Sequence, residues 1–300
     1  QGQQNMVPTA PSQLIEQGGK VFISLPLAYL GAQRGIVYGA AGALMGITLV
    51  EAVALLYMVL LYFRRRSLFQ QLPQDPGAEI LSSRSLSSRL VRIAIPITIS
   101  ACIVPLSLFV DSAMLLNRMM VAGLCLVVAL PLYGLFSGLV IRLINIPTGL
   151  ALAVAMSLVP AISAAMAVHD RRAIIRQSDL GIRFAFLIGF PCSVGMSLLA
   201  EPIMAFFYAE TLSAEHLRIA SELLSVSSLT VVLFTVVQAT SSILQGLHKQ
   251  RIPMYTLVAG VACKIVLNYT LVGIPQINIH GAPISSIVCY TVSMVPNLYY

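Results

Sequence analysis

Charge is scarce in this sequence. Asp, Glu, Lys and Arg make up 10% of its 300 residues, against 58% that are hydrophobic. A water-soluble domain carries about a quarter charged residues, so a soluble globular fold is excluded and a bilayer-embedded one is expected. Carboxylates are scarcer still, with 11 in total, and they form no DxD or DDxxD cluster. Walker-type loops and His–carboxylate sets are likewise missing. Metal-dependent transferases and phosphate-handling enzymes need such clusters, so no enzymatic chemistry is expected. The five cysteines (Cys102, Cys125, Cys192, Cys263 and Cys289) lie in apolar stretches without CxxC spacing. They read as small buried hydrophobes, not disulfides or metal ligands. His169, His216, His248 and His280 stand apart from Cys and carboxylates, which argues against a metal site. No cofactor is expected. The net charge of +7 comes largely from short loops between apolar runs, a placement that fits membrane orientation and not nucleic-acid binding.

A membrane-spanning helix needs about 20 mostly apolar residues. Segments of that kind run at Ser12–Leu30 (interrupted by Glu16 and Lys20), Gly39–Phe63, Ile93–Leu116, Leu180–Leu199, Leu223–Leu244, Met254–Ile274 and Ala282–Tyr300. Met119–Ala167 is long enough for two spans, and charge decides the count. Arg64, Arg65, Arg66, Arg84, Arg89 and Arg92 mark 64–92 as cytoplasmic, and Arg171, Arg172 and Arg176 mark 168–179. Two crossings must lie between these loops, so Met119–Ala167 supplies one, at Gly134–Ile162. Residues 119–133 are then an outer-surface segment or a helix extension. The Glu-rich stretch Glu201–Glu222 is external, and 245–253, with Lys249 and Arg251, returns to the cytoplasm. The count is eight spans.

The chain also repeats itself. Gln1-Gly2, Pro8, Lys20 and Gly42-Ala43 recur in order as Gln245-Gly246, Pro253, Lys264 and Gly281-Ala282. Both segments run from inside to outside, which makes the repeat parallel, about an axis along the membrane normal. First and seventh spans correspond, giving six spans per repeat. The expected fold is all-α: a polytopic membrane helical bundle of two pseudo-symmetric six-helix lobes, the first truncated. Residues 1–63 would hold the last two spans of the N-terminal lobe, 64–92 a cytoplasmic inter-lobe linker, and 93–300 a six-span C-terminal lobe. The chain does not open on Met, and it is expected to be a piece of a longer protein, with four spans ahead of Gln1.

Several blocks have a familiar look: QGQQNMVPTAPSQLIEQ, IAIPITISACIVPLSLFVDSAMLLNRM, LYGLFSGL, INIPTGLALAVAMSLVPAIS and LQGLHKQRIPM through KIVLNYTLVGIPQINIHGAPISSIVCY. They resemble the stage V sporulation protein B branch of the polysaccharide-transporter family, within the multidrug/oligosaccharidyl-lipid/polysaccharide exporter superfamily. The resemblance implies a carrier in the bacterial plasma membrane that flips a lipid-linked oligosaccharide or peptidoglycan precursor. The substrate it implies is an undecaprenyl-diphosphate-linked glycan. The partners are then this substrate and membrane lipids, with no nucleic acid, and the chain is expected to be monomeric. The alternative is a cation-coupled multidrug or toxic-compound exporter of the same superfamily.

Charges inside spans are costly and face a polar cavity or a partner. A diphosphate-linked lipid needs cations along its path, and Lys20, Arg142 and Lys264 are the candidates. Lys20 and Lys264 occupy equivalent places in the repeat. Each either faces a central cleft or snorkels and pairs locally, as Lys20 can with Glu16 at i,i+4. Arg142 lies about 12 Å from the outer end of its span by helical rise, too deep for easy exposure, and is expected to face a cavity or form an ion pair. Glu16, Glu51 and Asp111 are the candidates for ion coupling. Asp111 could instead pair with Arg118 or Arg142, and Glu51 could serve helix packing. Arg183, near a cytoplasmic end, is expected to snorkel.

Overall fold

The computed structural model describes residues 9–70 and 83–299, and among these every regular element is helical. The expectations at Gln1, Gly2 and Pro8, and at residues 71–82 of the linker, lie outside the described residues. The chain divides into two compact units, Gln1–Leu81 and Ser82–Tyr300. The two ends of the expected linker are helical, continuing α3 (Ile36–Gln70) on one side and α4 (Ser83–Val121) on the other.

In the first unit a rod formed by α1 (Thr9–Gly19), a π-helical turn (Lys20–Ser24) and α2 (Leu25–Ala32) packs against α3. Small residues let the two backbones approach, as is usual where no hydrophobic effect drives helices together in lipid. A Cβ on Gly42 would stand 2.3 Å from the Leu27 carbonyl oxygen, and one on Gly46 would stand 2.5 Å from the Ser24 Cα. Helix α3 begins at Ile36, three residues ahead of the Gly39 start expected for the second span, so Gly42-Ala43 lies inside it, at the close contact with α2.

The second unit holds α4, α5 (Leu126–Gly134), a π-helical turn (Leu135–Val140), α6 (Ile141–Ala167), α7 (Arg171–Leu198), α8 (Ala200–Tyr208), α9 (Ala214–Ser227), α10 (Leu229–Gly246), α11 (Arg251–Leu271) and α12 (Gly281–Tyr299). A 3-10 turn, Asn278–His280, precedes α12. Among the described residues, five segments are long and apolar enough to cross a membrane: Ile36–Arg64, Leu126–Ala167, Arg171–Leu198, Ala214–Gly246 and Arg251–Leu271. Within Met119–Ala167 a single continuous rod runs from Leu126 to Ala167. The early part of that stretch extends α4 to Val121 and, after a tight turn at Gly123 (φ 98°), starts α5 at Leu126.

Helix α10 is the hub, packed on α6, α7 and α12. Its buried face mixes Val231, Val236, Val237 and Leu244 with hydroxyl residues. Those hydroxyls bond back to the helix: Thr240 Oγ1 donates to the Val236 carbonyl at 2.8 Å, and Thr235 to that of Val232 at 2.8 Å. Thr235 and Thr240 thus sit in the apolar core with their hydroxyl donors satisfied by their own helix. Helices α6 and α10 both end on a histidine in the left-handed region, His169 (φ 54°) and His248 (φ 61°). In each, two backbone bonds wrap the last turn, such as Asp170 N–H to Ala165 O at 3.0 Å and Lys249 N–H to Leu244 O at 2.8 Å.

The two units share packing positions. Leu27 follows Lys20 by seven residues, as Leu271 follows Lys264. Gly42 abuts Leu27, and a Cβ on Gly281 would stand 2.9 Å from the Leu271 Cβ. Ser24 and Gly46 meet in the first unit, at the positions that Asn268 and Ser285 hold in the second, where Ser285 donates to Asn268.

Replacing Gly42 by Val should destabilise the protein by about 2 kcal/mol, since overpacking forces backbones apart. Gly149, with open space around it, should accept Ala without loss. Thermal unfolding of the two variants in detergent checks this; equal midpoints would contradict the close α2–α3 seat.

Candidate functional site

The site begins with one charge on α4. Asp111 follows Ser107 by one helical turn, and Asn268 follows Lys264 by one turn on α11. Each pair therefore shares a face, and packing α4 on α11 brings the faces together. Lys264 Nζ donates to Asp111 Oδ2 at 2.6 Å and to Ser107 Oγ at 3.0 Å. Asn268 Nδ2 donates to Asp111 Oδ1 at 2.7 Å, and Ser285 of α12 donates to Asn268 Oδ1. Lys264 is 4% exposed and Asp111 6%. A buried ion pair repays its desolvation only when its remaining hydrogen-bonding capacity is met, and here Ser107, Asn268 and Ser285 meet it.

Two recesses border the pair. One, of about 80 Å³, is lined by Asp111 and Lys264 with Asn145, Thr148, Ser227 and Thr230 among apolar neighbours. The other, of about 300 Å³, adds Arg142, Ser137 and Tyr133 to Asp111 and Asn145. The π-helical turn Leu135–Val140 explains how Arg142 comes to line it. In an uninterrupted α-helix the nine residues from Tyr133 to Arg142 would turn about 900°, setting the two on opposite faces. The wider π turn absorbs one residue and returns Arg142 to the recess. Arg142 is exposed there and forms no hydrogen bond or ion pair among the described residues.

The other sequence candidates are placed as follows. Lys20 pairs with Glu16 at i,i+4, both about one-third exposed. Glu51 is exposed on α3. Asp111, expected beside Arg118 or Arg142, bonds Lys264 instead. Arg118 is engaged elsewhere: its Nε donates to the Tyr269 carbonyl at 2.9 Å, and its guanidinium stacks 3.8 Å from the Tyr269 ring. Arg183 pairs with Asp179 at 2.9 Å. Ser107, Asn268, Ser285 and Asn145 went unnoticed in the sequence. The one-turn spacing of Ser107 to Asp111 and of Asn268 to Lys264 was the available signal. No His, Cys, Asp and Glu grouping among the described residues could hold a metal ion.

A family model described as polysaccharide biosynthesis protein matches residues 1–166, more than half of the chain. The chain belongs to that family. A second model, MatE, matches residues 137–270. Among relatives, the chain is similar to the lipid II flippase MurJ of Bacillus subtilis (strain 168), at 28% identity over 98% of this chain and 54% of that protein. It is also similar to stage V sporulation protein B of the same organism, at 24% identity over 95% of this chain and 53% of that one. The chain thus spans about half the length of these curated relatives. In structure it resembles the inward-facing conformation of a multidrug resistance MATE family transporter of the MOP superfamily. That likeness has a TM-score of 0.67 at 16% identity and covers 96% of this chain and 62% of the other. The fold is that of a polytopic helical membrane bundle.

Replacing Lys264 by Met should cost about 3–5 kcal/mol, because it leaves the buried Asp111 carboxylate without its counter-charge. Combining it with Asp111→Asn should recover most of that loss. A thermal-denaturation double-mutant cycle measures the coupling; additive losses would show that the two side chains do not depend on each other.

Proposed function

We propose that this chain forms part of a membrane flippase that carries a lipid-linked oligosaccharide or peptidoglycan precursor across the bacterial plasma membrane by alternating access. One observation carries the reading: Arg142, which forms no ion pair among the described residues, lines a recess of mixed polarity in a helix bundle, where the nearby Asp111 is already taken by Lys264. A diphosphate headgroup leaving water needs such a donor, and a guanidinium meets phosphate oxygens through charge-assisted, often bidentate bonds. The similarity to MurJ over nearly the whole chain supports the same reading. The lipid crosses chemically unchanged, and the protein acts as a carrier and not a catalyst.

In this proposal the chain supplies the end of one six-helix lobe (1–63), a linker (64–92) and a second lobe (93–300), working as a monomer. The loops at 64–92, 168–179 and 245–253 face the cytoplasm. Arg142 takes the headgroup charge, and Lys20 serves the first lobe once released from Glu16. Asp111 with Lys264 is the coupling pair: protonating the carboxylate would cancel the attraction that holds α4 on α11. Glu51 offers a second acid on the first lobe. A cation-coupled drug exporter is the second reading, favoured by the buried acid Asp111.

In liposomes loaded with undecaprenyl-diphosphate-linked sugar, Arg142→Gln should slow flipping about ten- to hundredfold, the worth of a hydrogen bond to a charged group. Arg142→Lys should retain part of the rate. No movement of that lipid, together with efflux of organic cations, would replace this reading by the drug-exporter one.

A further inference from the structure

Helix α7 has two faces with different tasks. Gly181, Ala185, Gly189 and Ser193 recur every four residues and are buried. A Cβ on Gly181 would meet a Leu158 methyl at 2.4 Å, and one on Gly189 would meet Thr235 Oγ1 at 2.3 Å, so this face is closed against α6 and α10. The opposite face is exposed along its whole length. It carries Arg172, Arg176, Asp179 and Arg183 in steps of three and four residues, followed on the same stripe by Leu187, Phe190 and Val194. Charge gives way to apolar side chains within one turn.

Arg183 stands at the junction. It borders a shallow, open recess on the α7 surface formed with Ile182, Phe186, Leu187, Phe190 and Pro191 of the same helix. Asp179 occupies its Nε at 2.9 Å, which leaves other guanidinium donors for a ligand. Arg172 and Arg176 have no ion pair among the described residues. Three arginines against one aspartate leave the stripe with a surplus of two positive charges.

We propose that this stripe binds an anionic glycerophospholipid, its phosphate held by Arg176 and Arg183 and an acyl chain lying in the recess along Leu187 and Phe190. The order of the stripe matches the order of a lipid: a charged head, then a hydrocarbon tail. The surplus charge selects the headgroup, because a zwitterionic lipid already carries its own cation. Helical rise separates Arg176 from Arg183 by about 10 Å, within reach of one headgroup for two long, flexible side chains.

The test uses the purified protein in nanodiscs of phosphatidylcholine containing a minor share of phosphatidylglycerol, with co-purifying lipid counted by native mass spectrometry. Phosphatidylglycerol should be enriched over its bulk share. The double variant Arg176→Gln, Arg183→Gln should lower that enrichment at least about fivefold, the worth of a single juxtamembrane cation. Arg176→Lys, Arg183→Lys should keep most of it, and Arg218→Gln, on α9, should leave it unchanged; retained helicity shows that each variant is folded. Undiminished enrichment in the Gln variant overturns the site, as would a photo-crosslinker at Leu187 capturing a protein segment instead of lipid. Because the readout is lipid occupancy, its failure is separate from any failure of flipping.

Discussion

A lysine ammonium and an aspartate carboxylate buried against each other set the conditions for the second unit. Neither charge could be left alone so far from water, and together they stand only because Ser107, Asn268 and Ser285 complete the hydrogen bonding. Those five side chains come from α4, α11 and α12. Turning α11 by one residue would remove Lys264 and Asn268 together and leave Asp111 unpartnered. The register of three helices is thus tied to one polar cluster. The recess that exposes Arg142 borders this cluster, so the fixed charges and the free one share a wall.

Much of the architecture was legible in the sequence because a bilayer leaves few alternatives. Apolar stretches of about 20 residues must be helices, and the arginines flanking Met119–Ala167 allowed it one crossing. The cations Arg142 and Lys264 and the acid Asp111 stood out because charge inside such stretches is expensive. Their partners did not stand out. Whether Asp111 meets Arg118, Arg142 or Lys264 depends on which helix packs beside α4, and hydropathy carries no information on neighbours. The π turn at Leu135–Val140 was hidden too, since nothing in LFSGLV separates a wider turn from a regular one; yet that turn decides which way Arg142 faces.

The internal repeat reaches further than matching letters. Leu27 and Leu271 each receive a glycine from the following helix, and the Ser24–Gly46 and Asn268–Ser285 contacts fall at matching places. One packing scheme thus serves both units with different chemistry: a bare backbone approach in the first, a hydrogen-bonded polar pair in the second. The conserved geometry is that of the hairpin, and the divergent part is what its interior offers to a solute.

The rod running from Leu126 to Ala167 has a geometric consequence. Its 42 residues measure about 63 Å end to end, well beyond the roughly 45 Å of a bilayer with its headgroups. The surplus cannot stand in water, for its first turn exposes Leu126, Val127 and Leu130. The rod must therefore lean or bend, and Pro131, Pro147 and Pro160 together with the π turn give it the places to do so. A leaning column sweeps a wider area of membrane than an upright one. Local thinning or thickening of the surrounding lipid would change its inclination, and with it the opening of the recess that the same column lines.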